Sequence, residues 1–377
     1  MNALLRSSWI ALIVAGFFFQ ETCHAATPSG LSDYVARPDD GFKWELKNTR
    51  EIAGAKLYEI HLTSQIWQEI PWTHDLIVIV PPKTEPKATM FLYNQGGKPG
   101  ANSLLMGLEM AKKMRAPVAF LYGIPRQPLF GMLTEDALIA ETFVRFLKTG
   151  DSSWPLLFPM VKSLVKAMDA LQAFAKKEWN KEVTHFVVSG ASKRGWTTWL
   201  TAAADPRVKA IIPMVIDTLN MRKQMPYQVE SYGTYSDQIA DYTKRKLVPV
   251  PKTPEAQQLW AMVDPWVYRE KIKMPKLIMN GANDPYWTQD ALNLYWDDLQ
   301  GDKWICYVPN AGHGLEQKEE NGKVNRTRAL NTISSFAAAH IHDLPLPKMG
   351  WKHKSDGNDN EVVVSSDIRP KAARLWY

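Results

Sequence analysis

Three side chains with the chemistry of acyl transfer follow one another along the chain in a workable order: Ser192, then Asp284, then His313. A serine hydroxyl is too weakly acidic to attack a carbonyl unaided. An imidazole with an ordinary pKa of about 6.5 takes its proton near neutral pH, and a carboxylate holds that imidazole in the useful tautomer. The surroundings of each residue fit this use. Ser192 ends the turn Gly190-Ala191-Ser192 after an apolar run, and a helical pattern starts directly behind it. That is the layout of a strand-to-helix elbow, in which a strained serine presents its Oγ at the carboxyl edge of a sheet. The match to Gly-x-Ser-x-Gly departs at one point: Arg194 stands where the second glycine belongs, and Gly195 comes one residue late. Asp284 sits in a polar loop behind the apolar run 276–279, and His313 lies between Gly312 and Gly314 behind a second such run.

Singly, each has an ordinary reading: a helix cap, a turn former before Pro285, a loop histidine. Together, each behind an apolar run and in the order acid then histidine, they form the set an α/β-hydrolase needs. Asp217 also follows an apolar run and is the fallback acid; Asp264 and Glu316 read as structural. The backbone N–H of Lys193 is the first expected oxyanion donor. The second is expected from Gly96 and Gly97 after the run 89–93, in a loop without the Gly-Lys-Ser/Thr ending of a phosphate loop. Lys193 and Arg194 stand on a first helical turn, where cations oppose the helix dipole. Either they pair with acids of the protein itself, or one faces an anionic part of the substrate. Arg194 and Trp196 are the expected substrate-binding residues.

Positioning such a set requires a parallel sheet with helices on both faces. Residues 56–67 and 73–80 read as an antiparallel strand pair, stopped by Pro81-Pro82. Strands at 89–93, 117–122, 184–189, 208–215, 274–279 and 303–308 then alternate with helices at 102–115, 134–147, 155–177, 193–204, 289–299 and 326–341. Residues 216–271 carry no strand pattern and read as an irregular cap insertion over the active face. The domain is thus placed at 26–345, with a short C-terminal β tail at 346–377.

A chain of 377 residues, 45% hydrophobic and 22% charged, buries a full core. Residues 1–25 read as a secretory signal, with Arg6, an apolar run and a small-residue exit at Ala25. A secreted or periplasmic protein is therefore expected. The apolar run is too short for a stable membrane span. Of the two cysteines only Cys306 outlasts cleavage, so no intrachain disulfide is expected, and Cys306 reads as a buried strand residue. The net charge of +6 is scattered and no nucleic-acid module is visible. No cofactor or metal is expected, since His340 and His342 are too close in sequence to share a helical face. The partner is a small-molecule or peptide substrate; oligomeric state is left open.

Residues 31–39, 190–200 and 213–220, above all Ser192-Lys193-Arg194-Gly195-Trp196, resemble the PhoPQ-activated pathogenicity-related protein family. The resemblance implies an α/β-hydrolase-like fold and a link to bacterial resistance to antimicrobial peptides. A secreted proliferation repressor is also related, so a binding or signalling protein on a hydrolase scaffold is the competing expectation. The family is expected to run on past a Leu-Trp such as Leu375-Trp376 into further β structure, which makes 346–377 an incomplete appendage. The elbow is also similar to the Gly-x-Ser-Arg-x-Gly of glucuronoyl esterases, a hint of an acidic substrate.

Overall fold

Nine strands make one sheet, and their burial shows which of them have two faces to cover. The computed structural model describes residues 30–374 apart from Glu320 and Asn358; the expected signal at 1–25 and the last residues of the tail lie outside these. Helix α1 (Gly30–Ala36) precedes strands β1 (Lys43–Ile52), β2 (Ala55–Trp67) and β3 (Ile70–Val80), paired antiparallel in sequence order. The chain then alternates through β4 (Thr89–Asn94), α2 (Ala101–Met114), β5 (Val118–Leu121), α3 (Glu135–Thr149), α4 (Leu157–Trp179), β6 (His185–Ala191), α5 (Lys193–Ala204) and β7 (Val208–Met214). An insertion carrying α6 (Met221–Tyr232), α7 (Ala240–Thr243) and α8 (Pro254–Val263) leads to β8 (Lys276–Gly281) and β9 (Lys303–Val308). A two-residue ribbon, β10 (Gln317–Lys318) with β11 (Val324–Asn325), precedes the closing helix α9 (Thr327–Ile341), and β12 (Met349–Ser355) pairs with β13 (Asn360–Ser366) as a hairpin.

The sheet order is β1-β2-β3-β5-β4-β6-β7-β8-β9, with the run from β5 to β9 parallel. This is the α/β-hydrolase architecture, a mostly parallel sheet covered on both faces. Side chains alternate between the two covers, as a period of two requires. Met90 and Leu92 of β4 face a core shared with α3, α4 and α5, while Phe91 and Tyr93 face a second core under α2 and α9. Among the described residues no helix is long and apolar enough to cross a membrane.

The βα alternation and the β2–β3 pair stand as expected, and three segments differ. β1, exposed or half-buried along its whole length, is a strand because β2 pairs with it. The insertion at 216–271 is largely helical, with α8 started by Pro254 and by Thr253, whose Oγ1 accepts the Ala256 N–H. The helix expected at 289–299 is only a 3-10 turn, Ala291–Leu294. Side chains take the carbonyls a helix would use: Gln224 Nε2 donates to Ala291 O at 3.2 Å and Asn220 Nδ2 to Leu294 O at 2.9 Å. Cys306 lies half-buried on β9.

The late glycine of the elbow has a packing reason. A Cβ on Gly195 would fall 2.6 Å from Ile216 Cγ2 and 2.9 Å from Met214 O, so α5 lies directly on the end of β7. Gly195→Ala is expected to destabilise the fold by about 1–3 kcal/mol, read as a lower urea midpoint with an unchanged slope.

Candidate active site

The chain leaves β4 toward β5 on one side and, after α3 and α4, returns to β6 on the other. The crevice at the carboxyl ends of β4 and β6 is therefore the switch point of the sheet, the usual ligand position in such folds. Ser192 stands there, at φ +57 and ψ −130. A left-handed backbone at a residue with a Cβ costs on the order of 1–3 kcal/mol and persists only where neighbours over-determine it. Ser192 N donates to Met214 O at 2.9 Å, and Asn94 Nδ2, at the end of β4, donates to Ser189 O at 2.7 Å and Arg194 O at 3.2 Å. Gly190 clears the space for Asn94, whose Nδ2 would lie 2.2 Å from a Cβ there. Lys193 is the first residue of α5, so its N–H lies at the end of the helix where the dipole favours negative charge.

Asp284 and His313 lie on the loops behind β8 and β9. Gly281 lets these loops touch, since a Cβ on it would fall 2.3 Å from Gly312 O. Ala282 N then reaches Val308 O at 3.0 Å and Asn283 N reaches Ala311 O at 2.9 Å. The side chains meet: His313 Nδ1 is 2.8 Å from Asp284 Oδ2. The other carboxylate oxygen, Oδ1, accepts the Tyr286 N–H at 3.0 Å. The Tyr286 ring stacks on the imidazole, 4.1 Å between centroids and 25° between planes. With Nδ1 bonded to Asp284, Nε2 is the ring nitrogen free to exchange a proton. Ser192 and His313 line one cavity.

Asp217 is fully buried nearby, but its partners are two phenols and an amide: Tyr295, Tyr307 at 3.1 Å and Asn280 at 3.0 Å. Burial pushes its pKa up to about 6 against the hydrogen bonds from the two tyrosines. Asp264 is structural, accepting the N–H groups of Asn220 and Met221 where α6 begins, and Glu316 pairs with Arg326.

The basic pair answers to the protein itself. Arg194 holds Glu135 through both terminal nitrogens, at 3.0 and 2.7 Å, and its Nε donates to Ile124 O at 2.6 Å. Lys193 Nζ lies 2.8 Å from Glu135 and 3.1 Å from Asp136. Arg194, expected to bind substrate, has a protein acceptor on each of its three nitrogens and is not among the residues lining the Ser192 cavity. Gly96 is taken up by the same network: a Cβ there would fall 2.2 Å from Arg194 Nη2. Gly97, at φ +65, lines a separate cavity with His74 and Arg126, and neither glycine is among the residues lining the Ser192 cavity. Trp196 does line it, stacked on Trp260 at 6.4 Å and 12°.

Three features escaped the sequence reading. Glu135 and Asp136 look like ordinary acids at the start of α3. Tyr286 follows Asp284 by two residues, and that adjacency was the available signal. The insertion is tied to the same loop, for Ser236 Oγ donates to Pro285 O, Gln228 Nε2 to Tyr286 O and Tyr232 OH to Trp287 O, at 2.7, 2.9 and 2.7 Å.

Burial opposes the charge on Glu135, yet Arg194 and Lys193 outweigh it and hold the carboxyl at about 2, below its ordinary 4.5. A depressed pKa stabilises the fold above about pH 4.5, and that contribution is lost as pH falls through about 2. The stability gap between wild type and Glu135→Gln is therefore expected to narrow in urea unfolding followed from about pH 6 to about pH 2; a constant gap would contradict the electrostatic account.

A model of the PhoPQ-activated pathogenicity-related protein family matches residues 31–377. Among curated proteins, the chain is 34% identical over 371 residues to autocrine proliferation repressor protein A of Dictyostelium discoideum, covering 92% of this chain and 73% of that one. Among solved structures, the chain is similar to acetyl xylan esterase 1 from Thermoanaerobacterium sp. JW/SL YS485, at TM-score 0.55 and 16% identity over 84% of this chain and 94% of that one. It is also similar to an acetyl xylan esterase from Paenibacillus sp. R4, at TM-score 0.50 and 15% identity over 82% and 92%. At these identities the structural likeness speaks for the fold.

Proposed function

We propose a serine-hydrolase function for this chain, which belongs to the PhoPQ-activated pathogenicity-related protein family. The observation that carries the reading is the 2.8 Å contact of His313 Nδ1 with Asp284 Oδ2, in a cavity shared with a left-handed Ser192. In the proposed reaction Ser192 Oγ attacks the carbonyl carbon of an ester or amide while its proton passes to His313 Nε2. The carbonyl electron pair moves onto oxygen, facing the Lys193 N–H at the head of α5. Collapse of this adduct breaks the bond to the leaving group, which takes the proton from Nε2. Water then repeats the sequence, its proton going to Nε2 and its oxygen to the acyl carbon, and Ser192 is restored. Asp284 holds the tautomer, and the Tyr286 ring, lying against the imidazole, favours the imidazolium that forms.

Export through a signal at 1–25 and a part in resistance to antimicrobial peptides belong to the same proposal. A signalling role without turnover is the second reading, favoured by the name of the 34% identical relative. A fluorophosphonate probe separates the two: the mature protein is expected to be labelled and Ser192→Ala to remain unlabelled, whereas folded wild type that takes no label would refute the enzyme. Asp284→Asn is expected to lower turnover by about two to four orders of magnitude with the fold intact. For Tyr286, the phenylalanine variant keeps the stacked ring and is expected to stay within about twofold of wild type. The alanine variant is expected to lower kcat about tenfold with KM little changed; equal kcat in both variants would remove the ring from the mechanism.

A further inference from the structure

We infer that the site takes esters of a short, uncharged acyl group, acetyl or propionyl; this rests on the serine-hydrolase reading. The cavity at Ser192 has a volume of about 30 Å³. A single water already needs on the order of 10–15 Å³, so the cavity is narrow and favours a short chain over a long one. Its walls do not recede easily. Trp196 and Trp260 lie stacked, with Trp196 Nε1 donating to Val263 O at 2.5 Å and Trp260 Nε1 to Leu247 O at 3.3 Å. Phe143 packs edge-on against both rings, at 6.2 and 5.9 Å. Met221 and Met225 of α6, with Ile239 and Val248, add to the apolar lining from the insertion.

Charge is absent in effect, although Lys193 and Asp136 both line the cavity. They are 3.1 Å apart, and Glu135 takes the rest of the lysine at 2.8 Å, so no cation is left over for a carboxylate-bearing acyl group. Two lining side chains carry fully buried polar atoms without a hydrogen-bond partner among the described residues, and both are neutral: Thr218 Oγ1 and Trp287 Nε1. The narrow apolar space suits the acyl side of the substrate. The leaving group must escape before water attacks, while the acyl group stays bonded to Ser192 Oγ and must be housed meanwhile. Selectivity therefore falls on acyl length rather than on the alcohol.

The test uses the mature protein, counted by fluorophosphonate labelling, with p-nitrophenyl esters from acetate to octanoate, p-nitrophenyl succinate, and acetate esters of several alcohols. Each methylene beyond propionyl is expected to lower kcat/KM about tenfold or more, and the succinate ester is expected to be poor. The spread among alcohols is expected to be smaller than the spread among acyl chains. Met225→Ala, and Trp260→Ala if it folds, are expected to raise the octanoate-to-acetate ratio at least about tenfold. A flat or rising profile to octanoate, a steeper dependence on the alcohol, or labelled protein that hydrolyses no acetate ester would overturn the short-acyl assignment alone. Absence of labelling would overturn the hydrolase reading with it.

Discussion

Two cations in succession on the first turn of a helix work against its dipole, and the arrangement holds at α5 because a second helix start faces it. Glu135 and Asp136 open α3, where acids suit the dipole, and they meet Lys193 and Arg194 across the crevice. The acids at the start of α3 offset the misfit of the cations at the start of α5. Much of the site depends on this neutral cluster. It fixes the elbow against the loop behind β5, through the Arg194 contact to Ile124. It requires Gly96, because the guanidinium occupies the place of a side chain. It also leaves the cavity beside Ser192 without a spare charge. Removing the acids would strand the buried charge of Lys193, which costs more than the pairing as a whole contributes.

The parts of this arrangement visible in the sequence are those written locally. Apolar runs at β4, β5 and β8 mark fully covered strands, and the glycines around Ser192 and His313 mark sharp turns. The order of serine, acid and histidine is likewise a one-dimensional fact. What stayed hidden depends on partners far along the chain. β1 is polar and becomes a strand only beside β2. Residues 289–299 have a helical spacing, but side chains from α6 and the residue before it claim the carbonyls. Arg194 was open to two readings, substrate contact or internal pairing, and the choice rested on Glu135, 59 residues earlier.

Asp217 shows the same limit from the other side. By position it is as good an acid as Asp284, since both follow a parallel strand. Geometry separates them: Asp284 meets an imidazole, whereas Asp217 is enclosed by Tyr295, Tyr307 and Asn280. A buried carboxyl needs such donors to offset its desolvation, and those donors come from β8, β9 and the segment between them.

The hydrogen bonds that Gln228, Tyr232 and Ser236 send to the carbonyls of Tyr286, Trp287 and Pro285 make the insertion and the acid loop one unit of exchange. An insertion transplanted from another member of the fold, however well shaped for a new substrate, would leave those three carbonyls without their donors and slacken the segment that carries both Asp284 and Tyr286. The shape of the insertion and the geometry of the Asp284 loop are thus inherited as a pair, and a change in one must be accommodated by the other.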